Sequence, residues 1–540
     1  MARVLGQIGG SSEGSQSNAD LVVRGARIVP IDRAAPGGVV DMRVAGGRVV
    51  EVGTGVRPDA GDQVLDADGR WVIPGLWDAH VHLTQWALLS GRLDTSAATC
   101  AEEVLALVRA RVAARGDRER AAYSANSVVE GYGHRTATWP RQPTVAELDA
   151  VSGPVPVVLV SGDAHHGWLN SAALARFGLP PREGVVAEDE WYPIFARLGE
   201  LTSHAATEML VRQAVMAAHA RGIVGVVDLE WGDAPAQWQA RYAAGLRSLR
   251  VRAGVYADRL DATLAAGRRS GDLLVPGQEL LTMGPFKVIS DGSLNTRTAF
   301  CHEPYVDGLG ADAGRGVGTR GALNLDPADL TEALRRATRG GLDVAVHAIG
   351  DAALDVALAA VASAGARGSI EHAQLVCADA PARMAALGLT ASVQPAHLLD
   401  DREAIAQCWP DRSDRCYAFR ALLDAGAPLA LGSDAPVSPL DPWLAMAAAV
   451  HRTADTQPSW HPEQALTVRE ALAASVDGQG TLRVGSRGDL VLLDADPLGQ
   501  DPSAVAEHAA YLRGMPVAAT LVAGELVWAT ADFGSVPGHE

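Results

Sequence analysis

The chain has 540 residues, 48% hydrophobic and 20% charged, with a formal net charge of -18 from 46 basic and 64 acidic side chains. The apolar fraction excludes a largely disordered protein, and the length calls for two or three domains or one large barrel with additions. The acidic balance, with no basic stripe, argues against a nucleic-acid partner.

Residues 1–18 are rich in Gly and Ser and lack an apolar stretch, so they read as a flexible tail and not as a secretory signal. Residues 19–73 then alternate apolar and polar positions between turn signals, which predicts short strands at Leu21–Arg24, Arg27–Ile31, Asp41–Val44 and Arg48–Val52. The middle, residues 74–480, alternates apolar runs with Ala/Leu/Arg helical patterns. Eight strands are expected there: Val72–Trp77, Ile223–Leu229, Val251–Ala257, Pro285–Ser290, Val344–Ala348, Ser369–His372, Thr390–Gln394 and Pro428–Gly432. Helices such as Pro327–Arg339 and Ala352–Ala364 lie between them. That pattern predicts an α/β fold, a (β/α)8 TIM barrel whose chemistry sits at the strands' C-terminal ends.

The gap of about 85–220 is too long for a βα connection and reads as an insertion with strands of its own, Ser127–Tyr132 and Val157–Ser161, walling or covering the site. Alternation returns at Asp489–Asp494 and Ala519–Trp528. Residues 481–530 are therefore expected to join 19–73 in a small β-sandwich formed from both chain ends, with 531–540 as a tail. No apolar run reaches the ~18 residues of a membrane span. Five scattered cysteines without a CxxC pair point to a reducing, cytoplasmic compartment.

Asp78-Ala79-His80-Val81-His82 stands at the end of the first predicted strand, where alternation puts both imidazoles on one face. Alone this pattern is weak. Lys287 lies within the fourth strand, His347 ends the fifth, His372 ends the sixth and Asp434 follows the eighth, so four imidazoles, a carboxylate and an amine converge on one rim. Lys287 is also the one lysine among 46 basic residues. In so Arg-biased a chain, a surviving lysine marks a place where the guanidinium will not serve, because only the amine can lose its proton and act as a nucleophile. Chance survival is the other reading.

These residues, with the phrases KVISDGSLNTRTAF, VAVHAIGDAALD, SIEHAQL, SVQPAH and LALGSDAPVSPLDP, resemble the metal-dependent amidohydrolase superfamily, in the branch that includes N-substituted formamide deformylase. The resemblance runs from residue 20 to near residue 530. It implies that His80, His82 and Asp434 hold one divalent ion and His347 and His372 a second, zinc being the expected metal. Lys287, carboxylated by carbon dioxide, would bridge the two. The implied activity is hydrolysis of a C–N bond in an amide, formamide or other N-acyl small molecule by metal-bound hydroxide, with Asp434 as general acid and base.

Asp163-Ala164-His165-His166-Gly167-Trp168-Leu169-Asn170-Ser171 resembles a family stretch that makes His165 a candidate donor to the substrate carbonyl or its tetrahedral intermediate. A loop cap or the start of a helix is the alternative. Trp86, Trp139 and Trp168 are candidates for an apolar pocket wall, core burial being the commoner use of tryptophan. Asp291 and Asp351 read as supporting or helix-start residues, and His302, His397 and His451 as ordinary. After Arg469-Glu470-Ala471-Leu472 the chain reaches Val476-Asp477-Gly478-Gln479-Gly480 sooner than the family does, a deletion that removes no ligand.

A one-metal hydrolase with an unmodified lysine, and a non-catalytic binding protein on the same shell, stay open beside the main reading. A small-molecule substrate is the expected partner, with neither nucleic acid nor membrane, and a homodimer is left open.

Overall fold

The computed structural model describes residues 20–114, 128–136, 139–162, 166–195, 197–198, 203–306, 319–453, 457–499, 505–531 and 533. The chain divides into two compact units, Met1–Leu83 with Val215–Glu540, and Thr84–Ala214.

The first unit holds the barrel sheet. Its strands run Leu76–Val81, Ile223–Asp228, Arg250–Val255, Leu281–Ile289, Val344–Ala348, Gly368–His372, Thr390–Val393 and Leu429–Leu431, each parallel to the next. Asp434 N donates to His80 O at 2.7 Å, tying the end of the eighth strand to the first. Both predicted helices are present, as Pro327–Arg339 and Asp351–Ala364. The former is capped by the Asp326 carboxylate, which accepts from Ala328 N and satisfies one of the orphan donors at a helix start.

One expected strand is in fact two. Val72–Trp77 divides into Trp71–Pro74 and Leu76–Val81. The former lies in the terminal sheet and the latter in the barrel. The switch falls at Gly75, where an added Cβ would sit 2.3 Å from Val224 Cγ2. Continuous apolar character hides such a break, because both strands are buried. Two other expectations shift in register. Leu21–Arg24 and Arg27–Ile31 form one strand, Leu21–Ile28, with an irregularity between Val23 and Ala26. Ala519–Trp528 is a hairpin, Val517–Val522 and Glu525–Ala529, turning through Ala523 and Gly524 at φ 52° and 86°, as a two-residue turn with both positions left-handed requires.

Both chain ends build the separate sheet. Leu490–Leu493 pairs antiparallel with Trp71–Pro74, and Val517–Val522 pairs with Leu490–Leu493. Val23, Met42, Val72, Leu492 and Leu521 are buried together there. Arg250 of the third barrel strand meets Asp489 at 2.7 Å, with both side chains at most 9% exposed.

The second unit carries a five-stranded sheet in the order Val186–Ala187, His166–Leu169, Val157–Ser161, Val129–His134, Leu93–Asp94. It has two apolar clusters of its own, one around Trp191 and one around Trp139 and Trp168. Among the described residues no helix is long and apolar enough to cross a membrane.

Candidate active site

The first barrel strand ends at Val81, so His80 lies inside it and His82 one residue past it. Asp78, on the same strand, accepts from His80 N at 3.0 Å and from Ser433 N at 3.0 Å. It thus stitches the first strand to the loop after the eighth. Burial pushes the Asp78 carboxyl up to about 7 against those hydrogen bonds. Gly432 is held small by the same seam, since a Cβ there would lie 2.8 Å from His80 N.

Asp434 is where the ligand candidates meet. His80 Nε2 and His82 Nε2 lie 3.4 and 3.5 Å from its Oδ1. The donor atoms of His80, His372 and Asp434 all fall within 4.8 Å of one another. His372 and Asp434 take left-handed backbone, φ 74° and 55°. Side chains other than glycine rarely accept that strain outside sites that use it. The His347 ring packs edge-on against His372 at 4.5 Å, with its Nε2 3.2 Å from Gly292 O and 3.4 Å from Asp291 Oδ1.

Lys287 is 3% exposed, and its Nζ has no hydrogen-bond partner among the described residues. Burial lowers its pKa, opposed by the charges of Glu371 and Asp434. His80, His347 and His372 are likewise pushed down by burial, His347 to about 3, which favours the neutral imidazole with a lone pair to donate. Burial alone would raise Asp434, but His80, His82, His372 and His397 around it hold the carboxyl well below its ordinary range.

A residue the sequence reading passed over completes this arrangement. Glu371 accepts from His80 Nδ1 at 2.8 Å and from the Ser369 hydroxyl. Burial opposes its ionisation, but its bond to His80 and the charges of His80 and Lys287 bring it down to about 2. A carboxylate on Nδ1 fixes the tautomer that turns the Nε2 lone pair toward the Asp434 end. The signal was the Glu-His pair of SIEHAQL, where neighbouring positions on a strand point to opposite faces; what Glu371 reaches depends on the barrel closing.

The other expected positions divide. His165 lies outside the described residues. Trp139 and Trp168 are 7% and 0% exposed within the second unit's own core, their Nε1 atoms donating to Ala98 O and Thr144 O. They are core residues and not an open wall, because both rings are buried in one apolar cluster with Leu93, Val104, Leu148 and Leu159. Trp86 is half-buried on helix Leu83–Ser90. Asn170 caps helix Ser171–Arg176. Asp291 accepts from Phe300, Ile349 and Gly350 N and so shapes the loop before helix Asp351–Ala364. Trp231, not foreseen, is 50% exposed beyond the second barrel strand; it stacks on Tyr256 at 4.4 Å and lies 15° from the His82 plane at 6.1 Å.

These residues fit a divalent metal. Nitrogen and oxygen donors of borderline softness converge, and His82 Nδ1, His372 Nδ1 and Lys287 Nζ are buried polar atoms with no partner in the described residues.

A model of the amidohydrolase family matches residues 63–528. The chain is 28% identical over 548 residues to the Arabidopsis thaliana protein LONG AFTER FAR-RED 3, covering 90% of this chain and 89% of that one. It is 27% identical over 531 residues to the N-substituted formamide deformylase of Arthrobacter pascens, covering 89% and 94%. The crystal structure of an uncharacterized metal-dependent hydrolase from Pyrococcus horikoshii OT3 superimposes with a TM-score of 0.70 at 25% identity, covering 90% of this chain and 99% of that one.

Proposed function

We propose that this chain, which belongs to the amidohydrolase family, hydrolyses the C–N bond of an amide, formamide or other small N-acyl compound with divalent metal held by His80, His82, Lys287, His347, His372 and Asp434. The observation that carries the reading is the Asp434 carboxylate, kept ionised while His80 Nε2 and His82 Nε2 both approach one of its oxygens. Zinc is the proposed metal, and when bound it supplies a Lewis acid for the carbonyl and an acidified water.

The chain's own groups do the rest. Asp434 accepts a proton at a carboxylate oxygen and returns it to the leaving nitrogen. Glu371 keeps His80 in one tautomer. Lys287, buried with its amine disfavoured as a cation, is suited to add carbon dioxide at Nζ, giving a carbamate with loss of one proton. Trp231 and Tyr256 offer a flat apolar face beside His82 for the part of the substrate that does not react. The name of the Arthrobacter relative supports an N-substituted formamide among the compounds to try first.

A one-metal site is the second reading. It is favoured by the tight grouping of His80, His372 and Asp434 and by His347 Nε2 facing Gly292 O.

Elemental analysis of protein expressed without chelator, with bicarbonate present, separates them. About two ions per chain, falling sharply in Lys287→Ala, supports the bridged site, and about one supports the alternative. No metal after reconstitution overturns both.

A further inference from the structure

We propose that His397 is a further catalytic residue, its Nε2–H donating a hydrogen bond to the carbonyl oxygen of the bound substrate; this rests on the hydrolase reading above. The sequence reads His397, the last residue of SVQPAH, as an ordinary histidine. In the structure it opens helix His397–Cys408, reached from the seventh barrel strand, Thr390–Val393, through Gln394 and Pro395.

The imidazole is buried, 8% exposed, and its Nε2 has no hydrogen-bond partner among the described residues. That nitrogen points at the reacting end of the barrel, 3.9 Å from Asp434 Oδ2, which is beyond hydrogen-bond reach. Its ring lies 23° from the plane of His372, with centroids 6.1 Å apart. A buried ring nitrogen left without a partner is costly, and a histidine kept for structure satisfies both. His219 does so, with Nδ1 on Ile223 O at 2.9 Å and Nε2 on Ser248 Oγ at 3.0 Å. His451 and His508 also carry unpartnered nitrogens, but their rings face each other between helices Pro442–His451 and Val505–Arg513.

The position of the ring is fixed from behind. Asp401, one turn along the same helix, accepts from Gln374 Nε2 at 2.9 Å and from the Tyr417 hydroxyl at 2.7 Å. Gln374 stands two residues after His372, so the helix start is held against the strand end that carries a ligand candidate. A carbonyl carbon attacked beside Asp434 would leave its oxygen within reach of the waiting N–H. The hydrogen bond strengthens as that oxygen gains negative charge, and no proton is transferred. Substrate contact is preferred to metal ligation because His80 and His82 approach Asp434 Oδ1, whereas His397 stands on the side of the other oxygen, Oδ2.

The test titrates methylphosphonate, whose tetrahedral oxygens mimic the attacked carbonyl, into zinc-loaded wild type, His397→Gln and His397→Ala, with zinc per chain and thermal unfolding measured on the same samples. The expected result is binding weakened about tenfold or more in His397→Ala, with zinc content and unfolding as in wild type, and kcat on p-nitroformanilide lowered about 10²-fold with little change in KM. His397→Gln keeps most of the volume, so it carries the test should the alanine variant fail to fold. Unchanged methylphosphonate affinity overturns the proposal. So does loss of zinc, which would make His397 a ligand, or absence of binding to zinc-loaded wild type. Wild type that binds methylphosphonate through His397 yet turns over no N-acyl compound overturns the C–N hydrolase reading and leaves the oxygen contact in place.

Discussion

Glu371→Gln separates the support of the metal site from the site itself. Glu371 is 2% exposed at its side chain, accepts from His80 Nδ1 at 2.8 Å and carries full charge, because its pKa is brought down to about 2. Glutamine keeps the volume and one acceptor oxygen, so the barrel should fold. What is lost is the charge-assisted bond that raises the basicity of His80 and holds its ring toward Asp434. Loss of a carboxylate behind a metal-binding imidazole weakens metal binding about 10- to 100-fold. By the usual conversion that is roughly 1.4 to 2.7 kcal/mol. The assay titrates apo protein with zinc against a chromogenic chelator near neutral pH with bicarbonate, for wild type, Glu371→Gln and Ser369→Ala. Ser369 donates to Glu371 Oε1, one bond behind the carboxylate, so its loss should cost a few-fold and no more. Zinc affinity of Glu371→Gln within twofold of wild type would refute the tautomer argument, since the charge would then be doing nothing for His80.

Lys287→Arg should lose activity more than about 100-fold and bind less metal, because the guanidinium stays protonated and cannot take up carbon dioxide; turnover close to wild type would exclude a carbamate. Gly432→Ala should lower metal affinity and thermal stability together, since the added methyl meets His80 N at 2.8 Å and must push the first strand's end; an unshifted unfolding curve would show that the seam yields. His219 is buried with its pKa lowered from 6.5 to about 4, so the folded state resists a proton that the unfolded chain accepts. Its contribution is whole above pH 6.5 and is lost as pH falls toward 4. Between about pH 7 and pH 5 this removes about 2 kcal/mol, and urea unfolding of His219→Gln should show a pH dependence shallower by that amount. Equal slopes would place the acid sensitivity elsewhere.

Much of the barrel was legible because a buried parallel strand writes itself as a short apolar run, and the ligand candidates sit where such runs end. His80, His82, Lys287, His347, His372 and Asp434 were named on that ground, with a lysine that stands alone among 45 arginines adding a chemical reason. The two β-rich ends could be matched by their alternation. The division between Pro74 and Leu76 could not be read, because a strand leaving one buried sheet and another entering the next share the same apolar text. Nor could the fate of Trp139 and Trp168, since a tryptophan's composition is the same in a core as in a pocket and only the packed second unit shows which neighbours enclose it.

The tertiary structure alone decided the contacts made across the closed barrel. Glu371 reaches His80 over 291 positions of chain. Asp78 reaches Ser433 over 355. His397 is turned toward Asp434 by a helix anchored through Asp401 to Gln374 and Tyr417. Period and spacing report which residues share a strand face, because that depends on the local backbone. Which charge meets which imidazole depends on where distant strand ends arrive, and only the closed sheet fixes that.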